Sequence, residues 1–325
     1  MAPKLQRVND TTFAISLVFD KPDALQFKFT KGSWANEALN DDGTVPGNTN
    51  LKLLRDTAVT FTVNKWGSQQ QRSVFKGKVT GEVKYHRAMQ GDSILPRDIV
   101  VWLPPDYDKN RAERYPVIYA HDGQNLFDPS TSSFGVDWQL DETADSLIRA
   151  DKIKRVIIVG IYCTEDRSAD YSYGQKGEAY MNFIVNKLKP FIDSTYRTLP
   201  DRNNTITWGS SMGGLISLML VWQHSDVFSK AACFSPAFKI DELDYTGYLK
   251  SYKGPKKDIK LYIDDGGIDL EERLLPGIKE TLKLLDSMGY KEGKDITFFE
   301  DKKAEHNEAA WAKRAYMPLE LFLGR

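Results

Sequence analysis

The sequence predicts an α/β fold, a mostly parallel central sheet flanked by helices, preceded by a small all-β sandwich. Three observations carry that expectation. From Val74 onward, short and almost wholly apolar runs alternate with stretches of helical length and spacing. Before residue 70 there is only period-two alternation and no helical periodicity. A chain of 325 residues is also long enough for one large domain and a small companion, since single cores stop growing near this size. The boundary is set at a polar stretch, Gly67 to Arg72, giving domains 1–70 and 71–325.

Taken in order, Thr12 to Phe19, Leu25 to Phe29 and Ala58 to Val63 alternate apolar and polar side chains, the pattern of half-buried antiparallel strands. The Gly-, Asp- and Asn-rich stretch Asn40 to Asn50 reads as a loop. Lys78 to Tyr85 and Asp98 to Leu103 open the second domain as strands. Six apolar strands follow: Val117 to Ala120, Val156 to Ile161, Thr205 to Trp208, Ala231 to Phe234, Lys260 to Ile263 and Ile296 to Phe299. Helices are expected over Asp141 to Ala150, Gly177 to Tyr196, Gly213 to Gln223, Glu271 to Met288 and Glu308 to Phe322. Central strands this apolar are buried on both faces, as in a parallel sheet covered by helices.

Composition narrows the function classes. Forty-four Lys and Arg balance 45 Asp and Glu, with no basic stripe interleaved with aromatics, so nucleic acid is not an expected partner. No stretch approaches 18 consecutive apolar residues and Met1 to Arg7 lacks an apolar leader core, so neither a membrane span nor a signal peptide is expected. The compartment is extracellular or periplasmic if a leader has been removed, and cytoplasmic otherwise. Cys163 and Cys233 lie in apolar runs and read as small core residues, with a disulfide between neighbouring strands left open. Oligomeric state is not legible.

Chemistry enters at Gly209-Ser-Ser211-Met-Gly213, a G-x-S-x-G between an expected strand and an expected helix. A serine on such a sharp turn projects its hydroxyl from the sheet edge, and glycines relieve the crowding around it. The helix start behind it favours a developing oxyanion. Ser211 is therefore the expected nucleophile of an α/β-hydrolase.

Its base follows by elimination among four histidines. His86 and His121 precede the serine, whereas the triad on this fold runs Ser, acid, His in chain order. His224 falls at the far end of the helix that Ser211 starts, about 19 Å away at 1.5 Å per residue. His306, after the last strand, remains. The acid should lie just past the strand ending at Ile263, within Asp264-Asp265-Gly-Gly-Ile-Asp269-Leu-Glu271. Asp269 is the first choice, with Asp264, Asp265 and Glu271 as alternatives. Two backbone N–H groups should hold the oxyanion: Met212, next to the nucleophile, and Gln124, in the loop after Val117 to Ala120. Arg167, Tyr171 and Trp138 are expected to line the substrate pocket.

Together these residues resemble the esterase-D, enterochelin-esterase and feruloyl-esterase branch of the α/β-hydrolases. The resemblance is carried by Asp122-Gly-Gln-Asn-Leu-Phe127, Trp208-Gly-Ser-Ser-Met-Gly-Gly214, Gly266-Gly-Ile-Asp269 and Glu305-His-Asn-Glu-Ala-Ala-Trp311. It implies a lidless or lightly lidded carboxylesterase with Ser211, Asp269 and His306 as its triad, needing no metal or organic cofactor. The substrate would be a small-molecule or carbohydrate-linked ester with a feruloyl-like or acetyl group. Siderophore-ester or thioester hydrolysis on the same machinery is a second reading. A carbohydrate-binding protein with an inactive hydrolase scaffold is a third, of another class. The first 70 residues resemble carbohydrate-binding or immunoglobulin-like sandwiches, with Trp34 and Trp66 as candidate sugar-stacking faces.

Overall fold

The computed structural model describes residues 3–19, 23–31, 37–41, 49–53, 55–66 and 79–325. They divide into two compact units, 1–71 and 72–325. In the first unit, β1 (Gln6–Arg7) pairs with β2 (Phe13–Ala14), β3 (Asp23–Phe27) with β5 (Thr49–Leu53), and β4 (Ala38–Leu39) with β6 (Lys65–Trp66), all antiparallel. The rings of Phe27, Phe29 and Phe61 meet at centroid distances of 5.2–5.6 Å. The strand expected over Thr12 to Phe19 contracts to Phe13–Ala14, and Ala58 to Val63 is not in a strand. Alternation alone does not hold a strand when no ladder partner lies beside it; Val18 is 92% exposed. Trp34, the polar stretch at 67–72 and most of the Asn40 to Asn50 loop fall outside the described residues.

The second unit is an α/β-hydrolase fold. Its strands are β7 (Glu82–Gly91), β8 (Ile94–Leu103), β9 (Val117–His121), β10 (Ile157–Ile161), β11 (Thr205–Ser210), β12 (Lys230–Phe234), a small hairpin of β13 (Lys239–Ile240) and β14 (Leu243–Asp244), β15 (Lys260–Asp265) and β16 (Ile296–Glu300). The hairpin aside, they form one sheet in the order β16-β15-β12-β11-β9-β10-β8-β7. β7 and β8 run antiparallel, as do β8 and β10, and every other pairing is parallel. The chain enters the sheet at one edge, builds outward from β9, then reverses direction across it.

The apolar runs are buried on both faces, as their composition requires, except in the edge strand β16, which is half-buried beyond Ile296. Along β9, Val117 and Tyr119 join one core while Ile118 and Ala120 join the other. Side chains alternate across the sheet with period two, so one strand supplies both cores. Helices α1 (Leu140–Arg149), α2 (Arg167–Asp170), α3 (Gln175–Phe183), α4 (Lys189–Thr195), α5 (Met212–Gln223), α6 (Thr246–Ser251), α7 (Leu270–Ser287), α8 (Glu308–Ala312) and α9 (Tyr316–Leu323) follow or separate the strands. α3 and α4 join through a π-helical turn, Ile184–Leu188, into the single long segment expected from sequence. The expected terminal helix breaks into α8 and α9. Trp138, Trp208, Phe234 and Trp311 pack ring against ring beneath the carboxyl edge of the sheet. Burial of each such side chain contributes about 1.5–3 kcal/mol. Both cysteines are free thiols.

Candidate active site

The parallel strands all present their carboxyl ends to one edge, where loops gather in this class of sheet. At the centre, β11 turns directly into α5. Ser211 stands at that turn with φ 56° and ψ −121°, a conformation that non-glycine residues rarely hold. Its N–H donates to the Phe234 carbonyl at 2.9 Å, and its carbonyl accepts from Gly214, Leu215 and Ala237. A Cβ at Gly209 would lie 2.5 Å from the Gly213 carbonyl, and one at Gly214 would lie 2.9 Å from Pro236. The glycines are thus demanded by close approach of backbone, and the strained serine is pinned on four sides.

The β9 loop reaches the same edge. Asp122 takes a left-handed conformation, φ 55°, and caps the single turn Gly123–Asn125. Gly123 allows that turn onto β10, since a Cβ there would sit 2.4 Å from the Gly160 carbonyl carbon. Arg167 grips Asp122 with two bonds of 2.7 Å. Burial opposes the charge on Asp122, but the guanidinium outweighs it and holds the carboxyl below its ordinary range. The Gln124 side chain is anchored on Cys163, whose N–H it accepts at 3.1 Å. Gln124 and Met212 each fall in the first turn of a helix, where backbone N–H groups lack intrahelical acceptors.

On the other flank, Gly266 and Gly267 follow β15. A Cβ on Gly267 would meet the Lys302 carbonyl at 2.4 Å, and one on Gly266 would meet both the Ala304 carbonyl and the Glu271 side chain. These absences of side chain let the loop after β15 press against the loop after β16. His306 is carried there. Its Nδ1 lies 3.3 Å from Oε1 of Glu271, off the straight line of an ideal hydrogen bond, and its ring packs edge-on against Trp311. Glu271 is wholly buried. Burial alone would raise its carboxyl; contacts with His306, Asp265 and Ser235 overcome that and bring it down to about 2.

Several sequence expectations change. Asp269 is exposed, at the entry to α7 with φ 56°, and makes no side-chain cap bond. The carboxylate beside His306 is that of Glu271, two residues on, because the first turn of α7 swings residue 271 inward under the histidine loop. Asp264 is engaged elsewhere: Arg314 Nε donates to it at 2.8 Å and Tyr262 Oη at 2.9 Å. Trp138 is 3% exposed within the aromatic core, and Tyr171 is fully buried with its hydroxyl at the Asp122 main chain. Both pack inside the fold. Arg167 keeps 30% of its side chain exposed, though its charge is committed to Asp122. His121 donates or accepts at Tyr180 Oη, 2.8 Å away, and burial lowers it to about 3. His86 is bonded to Tyr196 Oη at 2.7 Å.

Sequence reasoning passed over Ser235. It sits after β12 with φ 40°, completely buried. Its hydroxyl donates to Glu271 Oε1 at 2.7 Å and accepts from Trp311 Nε1 at 3.0 Å, while its N–H donates to Asp264 Oδ1 at 2.9 Å. Through Phe234 and Ser235, adjacent residues tie the elbow at Ser211 to the carboxylate beside His306. The signal available in the sequence was Ser235-Pro236 at the end of an apolar strand, a polar residue where the chain must leave the sheet. A hydroxyl on a strained turn, an imidazole paired with a buried carboxylate, and unpaired N–H groups are the components that acyl transfer uses.

Comparison with known proteins agrees with this architecture. Over 246 residues the chain is 21% identical to the uncharacterized protein YbbA of Bacillus subtilis (strain 168), covering 70% of this chain and 93% of that one. It is 26% identical over 198 residues to an endo-1,4-beta-xylanase/feruloyl esterase of Xylanibacter ruminicola, covering 59% of this chain but only 25% of that larger protein. Among solved structures, a ferulic acid esterase superposes with a TM-score of 0.63 at 20% identity, covering 76% of this chain and 98% of that one. The enterobactin esterase of Shigella flexneri superposes with a TM-score of 0.62 at 13% identity, covering 75% and 59%. At these identities the superpositions speak to fold. Matched over residues 95–313, most of its length, the chain belongs to the Esterase family of ester-hydrolysing enzymes.

Proposed function

We propose that the protein is a serine carboxylesterase acting through an acyl-enzyme on Ser211. The observation that carries this reading is the strained elbow at Ser211 standing in the same sheet edge as the His306–Glu271 pair. His306 Nε2 takes the proton as Ser211 Oγ attacks the ester carbonyl carbon. The resulting oxyanion is held by the N–H groups of Gln124 and Met212. Collapse breaks the bond to the alcohol oxygen, which leaves with the proton from His306. A water molecule then repeats the sequence on the acyl-enzyme and frees the acid. Glu271 takes the orienting role first assigned to Asp269.

The proposed substrates are carboxylic esters of feruloyl-like or acetyl groups on a carbohydrate or polyol, supported by the likeness to a xylanase/feruloyl esterase and a ferulic acid esterase. In this reading the second unit is catalytic. The first is an accessory β domain, whose sugar-binding role rests on the half-buried Trp66. Siderophore-ester hydrolysis is the second reading, favoured by the likeness to enterobactin esterase. A fluorophosphonate probe should label wild type and not Ser211→Ala, and p-nitrophenyl acetate turnover should vanish with the label. An unlabelled wild type without turnover rejects the serine mechanism. A panel of acetyl, butyryl, feruloyl and catecholate esters, ranked by kcat/KM, then separates the two substrate readings.

A further inference from the structure

We infer that Asp265 is a positioning residue for the His306–Glu271 pair: it shares one proton with Glu271 and donates it to Glu271 Oε2, so the two carboxyl groups present a single negative charge to the imidazole. This rests on the serine-esterase reading and deepens it. Asp265 ends β15 and has no exposed surface. Among the described residues, no N–H or hydroxyl donates to either of its oxygens, and the same holds for Glu271 Oε2. The two carboxyl groups are instead neighbours that act on each other's proton, with Cδ of Glu271 2.9 Å from where a Cβ on Gly266, the residue after Asp265, would stand. Their juxtaposition is built in, because Gly266 leaves the Glu271 side chain room to cross the loop.

Two carboxylates buried against each other cannot both ionise, so one proton lies between them. Its position follows from the charges around each. Glu271 Oε1 takes the Ser235 hydroxyl at 2.7 Å and lies beside His306. The charges that act most strongly on Asp265 besides that of Glu271 are further acids, Asp264 on its own strand and Glu300 on β16. The nearby cation, Arg314 of the segment between α8 and α9, bonds Asp264 and the Ser235 hydroxyl, leaves its Nη1 without an acceptor among the described residues, and acts through its charge on Glu271. Burial first, and Glu271 second, push Asp265 up to about 9. The proton thus resides on Asp265 and the charge on Glu271. Among the described residues no backbone N–H donates to Glu271, so two side-chain hydroxyl groups, those of Ser235 and protonated Asp265, fix the carboxylate.

The test compares wild type, Asp265→Asn and Asp265→Ala on p-nitrophenyl acetate, with an infrared spectrum of each. Asp265→Ala should lower kcat about 100-fold with KM little changed, the size expected when a catalytic group drifts by an ångström. Asp265→Asn, which keeps an N–H donor, should recover most of that loss. Wild-type kcat should decline on the alkaline side as the shared proton leaves, and the asparagine variant should lack that decline. In the wild-type minus Asp265→Asn difference spectrum at neutral pH, where the signal of other protonated acids such as Asp141 cancels, a protonated-carboxyl C=O band that shifts on deuteration should remain. Equal loss in the two folded variants, coincident alkaline limbs, or no such band overturns the proposal. If Asp265→Ala does not fold, the asparagine pH profile and the band decide alone. Turnover persisting in Ser211→Ala would sink the serine reading, while the infrared band would still decide the shared proton.

Discussion

Glu271→Gln should lower kcat by about 10³–10⁴-fold, as when the acid beside a catalytic histidine becomes an amide and favours the wrong tautomer. Asp269→Asn should stay within a few-fold of wild type, since that side chain faces solvent. Steady-state kinetics on one small ester check both; equal damage at the two positions would return the acid role to Asp269. The difference between them explains what the sequence could not resolve. Four carboxylates lie within eight residues, and a strand-end argument favours whichever follows the glycines. Which one points inward depends on where α7 begins, and a shift of one or two residues there exchanges an exposed side chain for a buried one. The sequence singles out Ser211 and His306 because an elbow between strand and helix, and a histidine beyond the acid, leave few places for such roles; the structure puts Ser211 at the β11–α5 turn and His306 beside Glu271.

At the scale of elements, the site is made where glycines let segments touch. Gly267→Ala places a methyl carbon 2.4 Å from the Lys302 carbonyl, so the two loops that bring Glu271 to His306 must part. The expected outcome is a lower melting temperature together with a fall in kcat on a small ester, larger than that of Gly135→Ala. Gly135 serves as the stability reference, because its added carbon meets nothing within 4 Å and only its φ of 71° is strained. A Gly267→Ala enzyme with wild-type kcat would show that the loop contact does not position the pair. The strands and helices of the second unit were readable for a related reason. Uniformly apolar runs such as Ile157–Ile161 have no exposed face to offer, so burial dictates their pairing. Alternating runs in the first unit have a solvent face and depend on a neighbour that composition does not name. The break between α8 and α9 was missed because Ala312 to Ala315 contains neither Gly nor Pro.

For the molecule as a whole, buried titratable groups set how stability responds to pH. Asp141, at the start of α1, is fully buried; burial chiefly, and Glu142 beside it, raise it to about 8. An acid whose folded pKa exceeds its unfolded value of 3.8 binds more protons in the native state, so its contribution is complete below that unfolded value and is lost as pH rises toward 8. Asp265 acts in the same direction. His121 and Glu271 act in the other: both have lowered folded values, so their contributions are lost as pH falls, from 6.5 toward 3 for the histidine and from 4.5 toward 2 for the glutamate. The native state is thus weakened from both ends. Asp141→Asn replaces a neutral acid by a neutral amide that can still accept the Thr80 N–H now bonded at 2.6 Å. Its melting temperature should therefore match wild type near pH 3, below the unfolded value of 3.8, and exceed it increasingly from there up to pH 8. Calorimetric scans across that range provide the check. A difference that stays constant with pH would mean that Asp141 is already ionised in the folded protein, held by its neighbours against burial.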